Sequence, residues 1–183
     1  MKYLIVLLVG MLFIFSGCSV TQIKIDPINL TNVLVVAQQD KTEDRYNLEL
    51  AVIDAMRNNN INARSSLNIV KQGQDPAILA NDSIQRKLTN EGIDTYMLIS
   101  VRGYDRNFNA TQNIPSMGEE LRSGHLFQIW RKSAKSVTFT IIFYRNRIPI
   151  HYELMKIRTG KNQEQVLERL TKKMDNRISR AWK

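Results

Sequence analysis

Short apolar runs and regularly spaced apolar residues alternate along the chain and predict its secondary structure. The predicted strands run from Asn32 to Gln38, Ile61 to Ser66, Thr95 to Val101, Ser136 to Tyr144 and Ile148 to Arg158. The first contains Val33-Leu34-Val35-Val36-Ala37, a continuous and largely β-branched run that is typical of a strand buried on both faces. The last two flank Arg145-Asn146-Arg147 and should form a hairpin, with Pro149 at an edge or a strand start.

Apolar residues three and four positions apart predict helices between the strands. Asp40 and Glu43 have the spacing of a capping box, so the first helix should begin there. Asn58-Asn59-Asn60 should end it. Its expected buried face consists of Tyr46, Leu50, Ile53 and Met56.

The second helix has two possible starts. Asp75-Pro76 combines an N-cap residue with proline at the first helical position, whereas Asn81 or Asp82 would open the helix later. Gly92 is suited to end it.

A third helix is predicted near the C-terminus. Asn162 and Gln165 are its expected caps. Its expected inward side chains are Leu167, Leu170, Met174, Ile178 and Ala181 or Trp182.

The element order β-α-β-α-β-β-β-α predicts an α/β fold, an α+β sandwich. One mixed sheet should carry about three helices packed mainly on one face. The strand–helix–strand start implies a right-handed parallel unit. Residues 32–183 should form this single domain, which is long enough to bury an ordinary core.

The first eighteen residues have the pattern of an export signal. Lys2 is followed by twelve uninterrupted apolar residues, Leu4 to Phe15, which suit a signal sequence and are short for a bilayer span. Phe15-Ser16-Gly17-Cys18 then resembles the lipobox of bacterial lipoproteins, with Phe15 in place of the commoner Leu. The resemblance implies cleavage between Gly17 and Cys18, a diacylglyceryl group on the Cys18 thiol and an N-acyl chain.

These features divide the chain into a signal peptide (1–17), a lipidated cysteine with a tether (18–31) and the domain. Two other interpretations stay open. An ordinary secretory signal would have Phe15 at a position that prefers small residues, and an uncleaved membrane helix from Leu4 to Val20 would be at the lower length limit. Ser19 resembles the sorting pattern of enteric outer-membrane lipoproteins, which implies the outer membrane, facing the periplasm, rather than the inner one. Surface exposure also stays open.

The first half of the domain carries a second resemblance. It is similar to the N-terminal domain of TolB and to envelope lipoproteins of the CsgG type through Val33 to Ala37, the following helix, Asn60 to Ser66, and Gly92-Ile93-Asp94 before Tyr96 to Val101. The resemblance covers Asn32 to Arg102 and consists of core pattern and turns. Such proteins are assembly and accessory modules, so a non-enzymatic role is implied, and no functional residue is carried over.

Charge is distributed unevenly along the mature chain. The side chains from Cys18 to Glu120 sum to −3, whereas those from Leu121 to Lys183 sum to +11. This asymmetry indicates an anionic partner. With an export signal, the expected partners are the membrane, lipid headgroups, an anionic envelope polymer or an envelope protein, and not nucleic acid. A solvated basic face is an equally open explanation.

Few residues point to catalysis or to a cofactor. His125 and His151 have no metal-ligand spacing, and the chain has no nucleophile elbow, P-loop or glycine-rich dinucleotide motif. Cys18 is the one cysteine and is consumed by lipidation, so no metal and no cofactor besides the covalent lipid is predicted. The available carboxylates, which nothing in the sequence pairs, are Asp44, Asp94, Asp105, Glu119 and Glu120.

The stretch 103–123 has the least regular pattern, and a further strand is predicted from His125 to Trp130. Tyr104, Arg106 and Phe108 combine aromatic rings with arginine, as recognition surfaces do, although folding back onto the domain is equally open. The sequence thus predicts an envelope lipoprotein that acts as a non-enzymatic accessory, adaptor or assembly component. A membrane-tethered hydrolase acting on cell wall or lipid, and a small-ligand-binding lipoprotein, are the alternatives.

Overall fold

A computed structural model describes residues 27–71, 73–111, 113–123 and 127–182, and in these residues one five-stranded sheet carries four α-helices. The strands are β1 (Asn32–Gln38), β2 (Asn62–Ser65), β3 (Thr95–Tyr104), β4 (Ser136–Arg145) and β5 (Ile148–Arg158). The helices are α1 (Thr42–Asn58), α2 (Asp82–Asn90), α3 (Met117–Arg122) and α4 (Gln163–Arg177). The predicted mixed-sheet sandwich is confirmed, with a fourth helix added.

The strand order β2-β1-β3-β4-β5 joins a parallel half to an antiparallel half. β1 is parallel to both β2 and β3, whereas β3, β4 and β5 are antiparallel neighbours. The chain crosses from β1 to β2 through α1 and returns past β1 to β3 through α2. Right-handed crossovers in opposite directions place their helices on opposite faces, and α1 and α2 lie on opposite faces.

The sheet has an apolar core on each face. We call the face that carries the long helices α1 and α4 the main face, and the face that carries α2 and α3 the second face. Val33, Val35 and Ala37 of β1 pack on the main face, and Leu34 and Val36 pack on the second. The prediction of a strand buried on both faces is therefore confirmed.

α1 starts without the capping box that the sequence predicts. Its N-cap residue, Lys41, makes no side-chain cap hydrogen bond. Asp40 and Glu43 are exposed, and Glu43 lies in the first turn, where its charge is favourable near the positive end of the helix dipole.

The buried face of α1 is rotated relative to the predicted one. Ile53 and Met56 are buried as predicted, but Tyr46 is 50% and Leu50 37% exposed. The buried apolar residues of the helix are instead Leu48, Val52, Ile53, Ala55 and Met56. Both sets follow helical spacing, so contacts outside the helix decide which one faces the sheet.

A buried carboxylate fixes this rotation. Glu49 is 0% exposed and accepts hydrogen bonds from the backbone N–H of Ala37 (3.1 Å) and of Ser66 (2.9 Å). The Ser65 and Ser66 hydroxyls donate to it at 2.5 and 2.7 Å, and Arg45 Nε at 3.2 Å. The last residues of β1 extend beyond the segment that pairs with β2. Glu49 thus links this end of β1 to the chain that follows β2.

Both predicted starts of the second helix are used in succession. Asp75 Oδ1 accepts from the Ala77 N–H at 2.8 Å and opens one 3-10 turn, Pro76–Ala80. Asn81 then accepts from the Ser83 N–H at 3.0 Å and caps α2. Gly92, at φ +87°, ends the helix in a left-handed conformation that glycine adopts without strain, as predicted.

The irregular stretch 103–123 holds more structure than the sequence predicts. β3 continues to Tyr104, and α3 follows with a capping box in which Ser116 and Glu119 exchange hydrogen bonds. The predicted strand from His125 to Trp130 is wrong in its described part: residues 127–130 form no strand. His125 itself lies outside the described residues.

The predicted hairpin and C-terminal helix are present. Asn146 and Arg147 adopt φ +52° and +65° between β4 and β5, as in a type I′ hairpin turn, and Pro149 lies on β5, an edge strand of the sheet. Asn162 caps α4 by accepting from the Gln165 N–H at 3.1 Å.

The inward face of α4 differs from the prediction at one position. The buried residues are Val166, Leu170 and Met174, followed by a π-helical turn, Ile178–Trp182. Leu167 is only partly buried and lies beside α1, because Val166 rather than Leu167 packs against the sheet.

The first and last described segments meet at one end of the sheet. The backbone N–H groups of Ile28 and Leu30 donate to the carbonyls of Ala181 and Trp182 at 3.1 Å each. Arg145 also donates to the Ile28 carbonyl at 3.3 Å. We call this end, where β1, β2 and β3 begin and the β4–β5 turn lies, the hairpin end. The opposite end is the loop end.

Candidate functional site

The predicted lipidation site lies outside the described residues. The residues that lie outside the described part of the chain include the predicted signal peptide with Gly17, the lipidated Cys18 and the first part of the predicted tether. No helix in the described part of the chain is long and apolar enough to cross a membrane.

The structure does not bring the predicted loop residues Tyr104, Arg106 and Phe108 together as one exposed patch. Tyr104 packs against the main-face core and donates its hydroxyl proton to the Gln128 carbonyl at 2.5 Å. Its ring meets Phe127 edge-on at 5.7 Å. Arg106 is exposed, so of the three it is the one that extends into solvent.

Phe108 folds back onto β3. Its ring lies 2.9 Å from the position that a Cβ on Gly103 would occupy, and Gly103 has φ +152°. The Arg102 guanidinium lies 5.9 Å from the centre of the Phe108 ring. A glycine at position 103 therefore permits this contact, and the loop closes over the loop end of the second face.

A cleft of about 510 Å³ opens on the second face, between strands β3 to β5 and α3. Its floor is the sheet: Ser100 of β3 is the register partner of Thr140 of β4, and Ile142 is that of Tyr152 on β5. Glu120 of α3 lies on the opposite wall. The remaining lining residues are Val101, Arg102, Thr111, Asn113, Pro115, Ser123 and Phe127. We call this volume the cleft.

The floor of the cleft contains a buried hydroxyl that is not hydrogen-bonded to any described residue. Thr140 is 6% exposed, and in the described part of the chain its Oγ1 has no hydrogen-bond partner. A buried polar group without a partner destabilises a folded protein, and each such group calls for an explanation. A ligand or water in the cleft would provide that partner.

Two opposite charges face the cleft among its described lining residues. Burial raises the pKa of Glu120 above its ordinary value, and the nearby positive charge of Arg102 partly opposes the rise. Burial, reinforced by Glu120 and Glu119, also raises the pKa of Tyr144, whose hydroxyl donates to the Pro115 carbonyl at 3.0 Å. The cleft thus combines one cation, one carboxyl of raised pKa and several hydroxyls.

A second crevice, of about 590 Å³, lies at the C-terminal end of β1. Gln38 separates it from the cleft by donating from Nε2 to the Glu120 carbonyl at 2.7 Å. The buried Gln38 Oε1 has no hydrogen-bond partner among the described residues. Ligands of parallel sheets commonly bind beyond the C-terminal ends of the strands, so this crevice is a lesser candidate beside the cleft.

The carboxylates noted in the sequence are mostly used within the fold. Asp105 accepts from the backbone N–H groups of Lys135 and Ser136 at 2.8 Å each, and these hydrogen bonds lower its pKa. The hydrogen bonds from Ser116 likewise lower the pKa of Glu119.

The other carboxylates lie apart from the cleft. Asp94 accepts from the hydroxyls of Thr31 and Thr95 at the hairpin end, and Asp44 is buried in α1. Of the five carboxylates, only Glu120 lines the cleft.

His151 belongs to the main face and not to the cleft. It is the register partner of Phe143, whose ring lies 6.0 Å from its own. Its Nε2 lies 3.6 Å from Glu153, which also pairs with Arg177 at 2.5 Å. Among the described residues, no group of three or more His, Cys, Asp or Glu could hold a metal ion.

The basic residues of the C-terminal third are spread over the surface, and some of them protect a sheet edge. Lys173 Nζ donates to the Lys156 carbonyl at 3.0 Å, and Arg169 donates to the Arg158 and Thr159 carbonyls at 3.0 and 2.7 Å. The Lys156 and Arg158 carbonyls lie on edge strand β5, and Thr159 directly follows it. Covering an exposed edge with lysine or arginine is a known protection against strand pairing between molecules.

Sequence reasoning missed the floor of the cleft. Thr138 and Thr140 interrupt an otherwise apolar strand, which was the available signal, but Ser100 and Tyr152 come from strands that are distant in sequence. Only the sheet order places these hydroxyls side by side.

No family model matches the chain, and no curated protein matches it. Among solved structures it is similar to the lipoprotein GNA1162 from Neisseria meningitidis, with a TM-score of 0.46 and 11% identity over 82% of this chain and 99% of that one. It is also similar to a PelC dodecamer from Paraburkholderia phytofirmans, with a TM-score of 0.45 and 6% identity over 82% of this chain and 89% of that one. At these values the similarities neither assign the chain to a family nor transfer a function to it.

Proposed function

We propose that the chain is a membrane-anchored lipoprotein of the bacterial cell envelope, held by acyl chains on Cys18. The observation that carries this proposal is Ser16-Gly17-Cys18 directly after the apolar run from Leu4 to Phe15. Two or three acyl chains, at about 0.8 kcal/mol per buried CH₂, would hold the domain durably. Ser19 favours the outer membrane, on its periplasmic face.

Replacing the acceptor thiol tests the anchor. Cys18→Ser should abolish incorporation of labelled palmitate and leave unprocessed precursor, because no other thiol is present. Ser16→Ala, which keeps a small residue before Gly17, is the matched control and should be labelled normally. Palmitate in the Cys18→Ser protein, or a mature N-terminus other than Cys18 by mass spectrometry, would contradict the proposal. Separation of inner and outer membranes then locates the protein.

For the domain we propose a non-enzymatic role as an accessory, adaptor or assembly component. The support is an apolar surface where α1 and α4 meet: Leu50 is partly exposed and lines a groove of about 540 Å³, and Tyr46, one turn earlier on α1, is exposed. Glu43, Glu164 and Glu168 line the same groove. Apolar side chains surrounded by charged ones are typical of surfaces that bind another protein.

Site-specific crosslinking tests the adaptor role. A photoreactive residue at Leu50 should give a discrete adduct in intact envelopes, and the same residue at Asp54, exposed on the same helix, should not. With the photoreactive residue placed at position 46 instead, the substitution Leu50→Asp should abolish the adduct. Identical crosslinking from positions 50 and 54 would refute this surface.

A second candidate function, binding of a small polar ligand, is favoured by the unpartnered Thr140 hydroxyl in the cleft. The volume of the cleft, about 510 Å³, lies within the range of small-molecule sites. A panel of small polar compounds should contain some that raise the melting temperature of the wild type but not of Thr140→Val.

A further inference from the structure

The position of the first described segment fixes which end of the domain is close to the lipid. Ile28 and Leu30 are hydrogen-bonded to the C-terminal turn at the hairpin end, and Leu30 is buried. Cys18 lies ten residues before Ile28, a distance that at about 3.5 Å per residue cannot exceed about 35 Å. An acyl group on Cys18 therefore keeps the hairpin end within reach of the bilayer surface.

The tip of the hairpin presents an apolar side chain next to basic ones. Ile148 is 65% exposed, the highest value among the large apolar residues that the structure describes. Arg147 precedes it, and its side chain is half exposed although it pairs with Asp82 at 2.7 Å. An apolar side chain beside arginine is the combination found where proteins lie at the bilayer interface.

Further basic side chains surround the tip. Arg86 lines one depression together with Asn146 and Arg147, and the exposed Arg180 lies in the C-terminal turn that binds the first described segment. The acidic residues named at this end are Asp82, which pairs with Arg147, and Asp94, against Arg86, Arg145, Arg147 and Arg180. The tip is therefore positive in sum, which complements anionic phospholipid headgroups.

We propose that the hairpin tip, residues 145–148, is a second membrane contact, in which Arg147 binds lipid phosphate and Ile148 enters the headgroup region. The occupant is the anionic phospholipid surface of the bilayer that holds the anchor, so this inference rests on the proposed lipidation of Cys18. The two contacts together orient the domain. Ten residues of β4 at about 3.3 Å each place the loop end about 33 Å farther from the membrane.

Fluorescent labelling of single thiols tests the contact in the acylated protein. Because Cys18 is the one cysteine and is modified, Ile148→Cys can be labelled with an environment-sensitive dye. Asn109→Cys, exposed at the loop end, is the matched control. The protein is reconstituted in phosphatidylcholine vesicles that contain phosphatidylglycerol and brominated lipid. The dye at position 148 should shift to the blue and be quenched by brominated lipid, and the dye at 109 should not.

The charge contribution is measured with substitutions that suit the turn. Arg147→Asn removes one charge, and asparagine tolerates the positive φ at this position. It should weaken the quenching at 148, with the contact equilibrium falling about fivefold, as expected for one basic charge at an anionic surface. Arg106→Asn, at the loop end, should have no effect.

The outcomes separate this proposal from the anchor. Protein that does not float with the vesicles would overturn the lipidation itself. Protein that floats while iodide in the aqueous phase quenches positions 148 and 109 equally would overturn the hairpin contact alone. Equal quenching of both positions by brominated lipid would also overturn it, because the domain would then lie flat on the membrane.

Discussion

Glu49→Ala removes the carboxylate that bonds the end of β1, where this strand extends past β2, to the chain that follows β2. In the folded protein this side chain accepts from two backbone N–H groups, those of Ala37 and Ser66, and from Arg45. Alanine leaves these three donors, and the Ser65 and Ser66 hydroxyls, without that acceptor. We therefore expect a large loss of stability, although no residue of the apolar core changes.

The magnitude follows from the burial of the group. Removing one partner of a buried ion pair costs about 3–5 kcal/mol, because the other charge stays buried without compensation. Glu49 and Arg45 are both buried, with Arg45 at 8% exposure, so the free energy of unfolding should fall by about 3–5 kcal/mol. This is a large part of the 5–15 kcal/mol that is typical of a domain. Glu49→Gln keeps one acceptor oxygen and should lose about 1–3 kcal/mol.

Urea unfolding of the mature chain measures both changes. With a slope of about 1.5–2 kcal/mol per molar urea, the alanine variant should unfold at a midpoint lower by about 2 M. Asp54→Ala, an exposed position on the same helix, is the control and should stay within about 0.5 kcal/mol of the wild type. A loss below about 1 kcal/mol at an unchanged slope, or an equal loss for Asp54→Ala, would refute the role assigned to Glu49.

Three further predictions concern the sheet. Thr140→Val should leave stability unchanged or raise it in thermal unfolding, because Oγ1 has no hydrogen-bond partner among the described residues. Thr95→Val should lower the free energy of unfolding by about 1–2 kcal/mol, since the Thr95 hydroxyl is hydrogen-bonded to Asp94 and Arg145. A similar loss of stability in Thr140→Val and Thr95→Val would argue against an unpartnered hydroxyl at position 140. Burial alone would raise the pKa of Glu153, but His151 and Arg177 lower it below 4.5. Its stabilising contribution is therefore present above pH 4.5 and lost as the pH falls through the folded-state pKa. The stability difference between wild type and Glu153→Gln should shrink between pH 6 and pH 3, and a difference independent of pH would contradict this. Finally, Arg169→Ala combined with Lys173→Ala uncovers the edge of β5 and should increase self-association in sedimentation velocity, whereas a monomer at all concentrations would count against edge protection.

The elements that local pattern specifies were predictable from the sequence. β1 is a continuous β-branched run, the β4–β5 turn contains Asn146, which tolerates positive φ, and α4 combines an asparagine cap with helical spacing. Gly92 likewise ends α2 because glycine adopts the left-handed conformation without strain. In these segments, propensity, capping and periodicity all favour the same structure, so neighbours in sequence suffice.

One error arose where two local patterns predicted different buried faces for the same helix. In α1, the set with Tyr46 and Leu50 and the set with Leu48 and Val52 both follow helical spacing. The buried Glu49 decided between them by bonding to the ends of β1 and β2, which no local pattern contains. α3 was missed because a helix of six residues is too short to show a period.

The sequence alone determined the pattern that resembles an export signal with a lipobox, and the class of fold, because each depends on residues that are adjacent or regularly spaced. Tertiary structure decided the rotation of α1, the use of basic residues along the edge of β5 and the assembly of the cleft. Ser100, Thr140 and Tyr152 lie on three strands and become neighbours only through the strand order. The same holds for the hairpin end, where hydrogen bonds between the first and last described segments place Ile148 on the side from which the tether departs. Contacts between residues so far apart in sequence depend on the order of the strands and on burial, and neither can be read from local spacing.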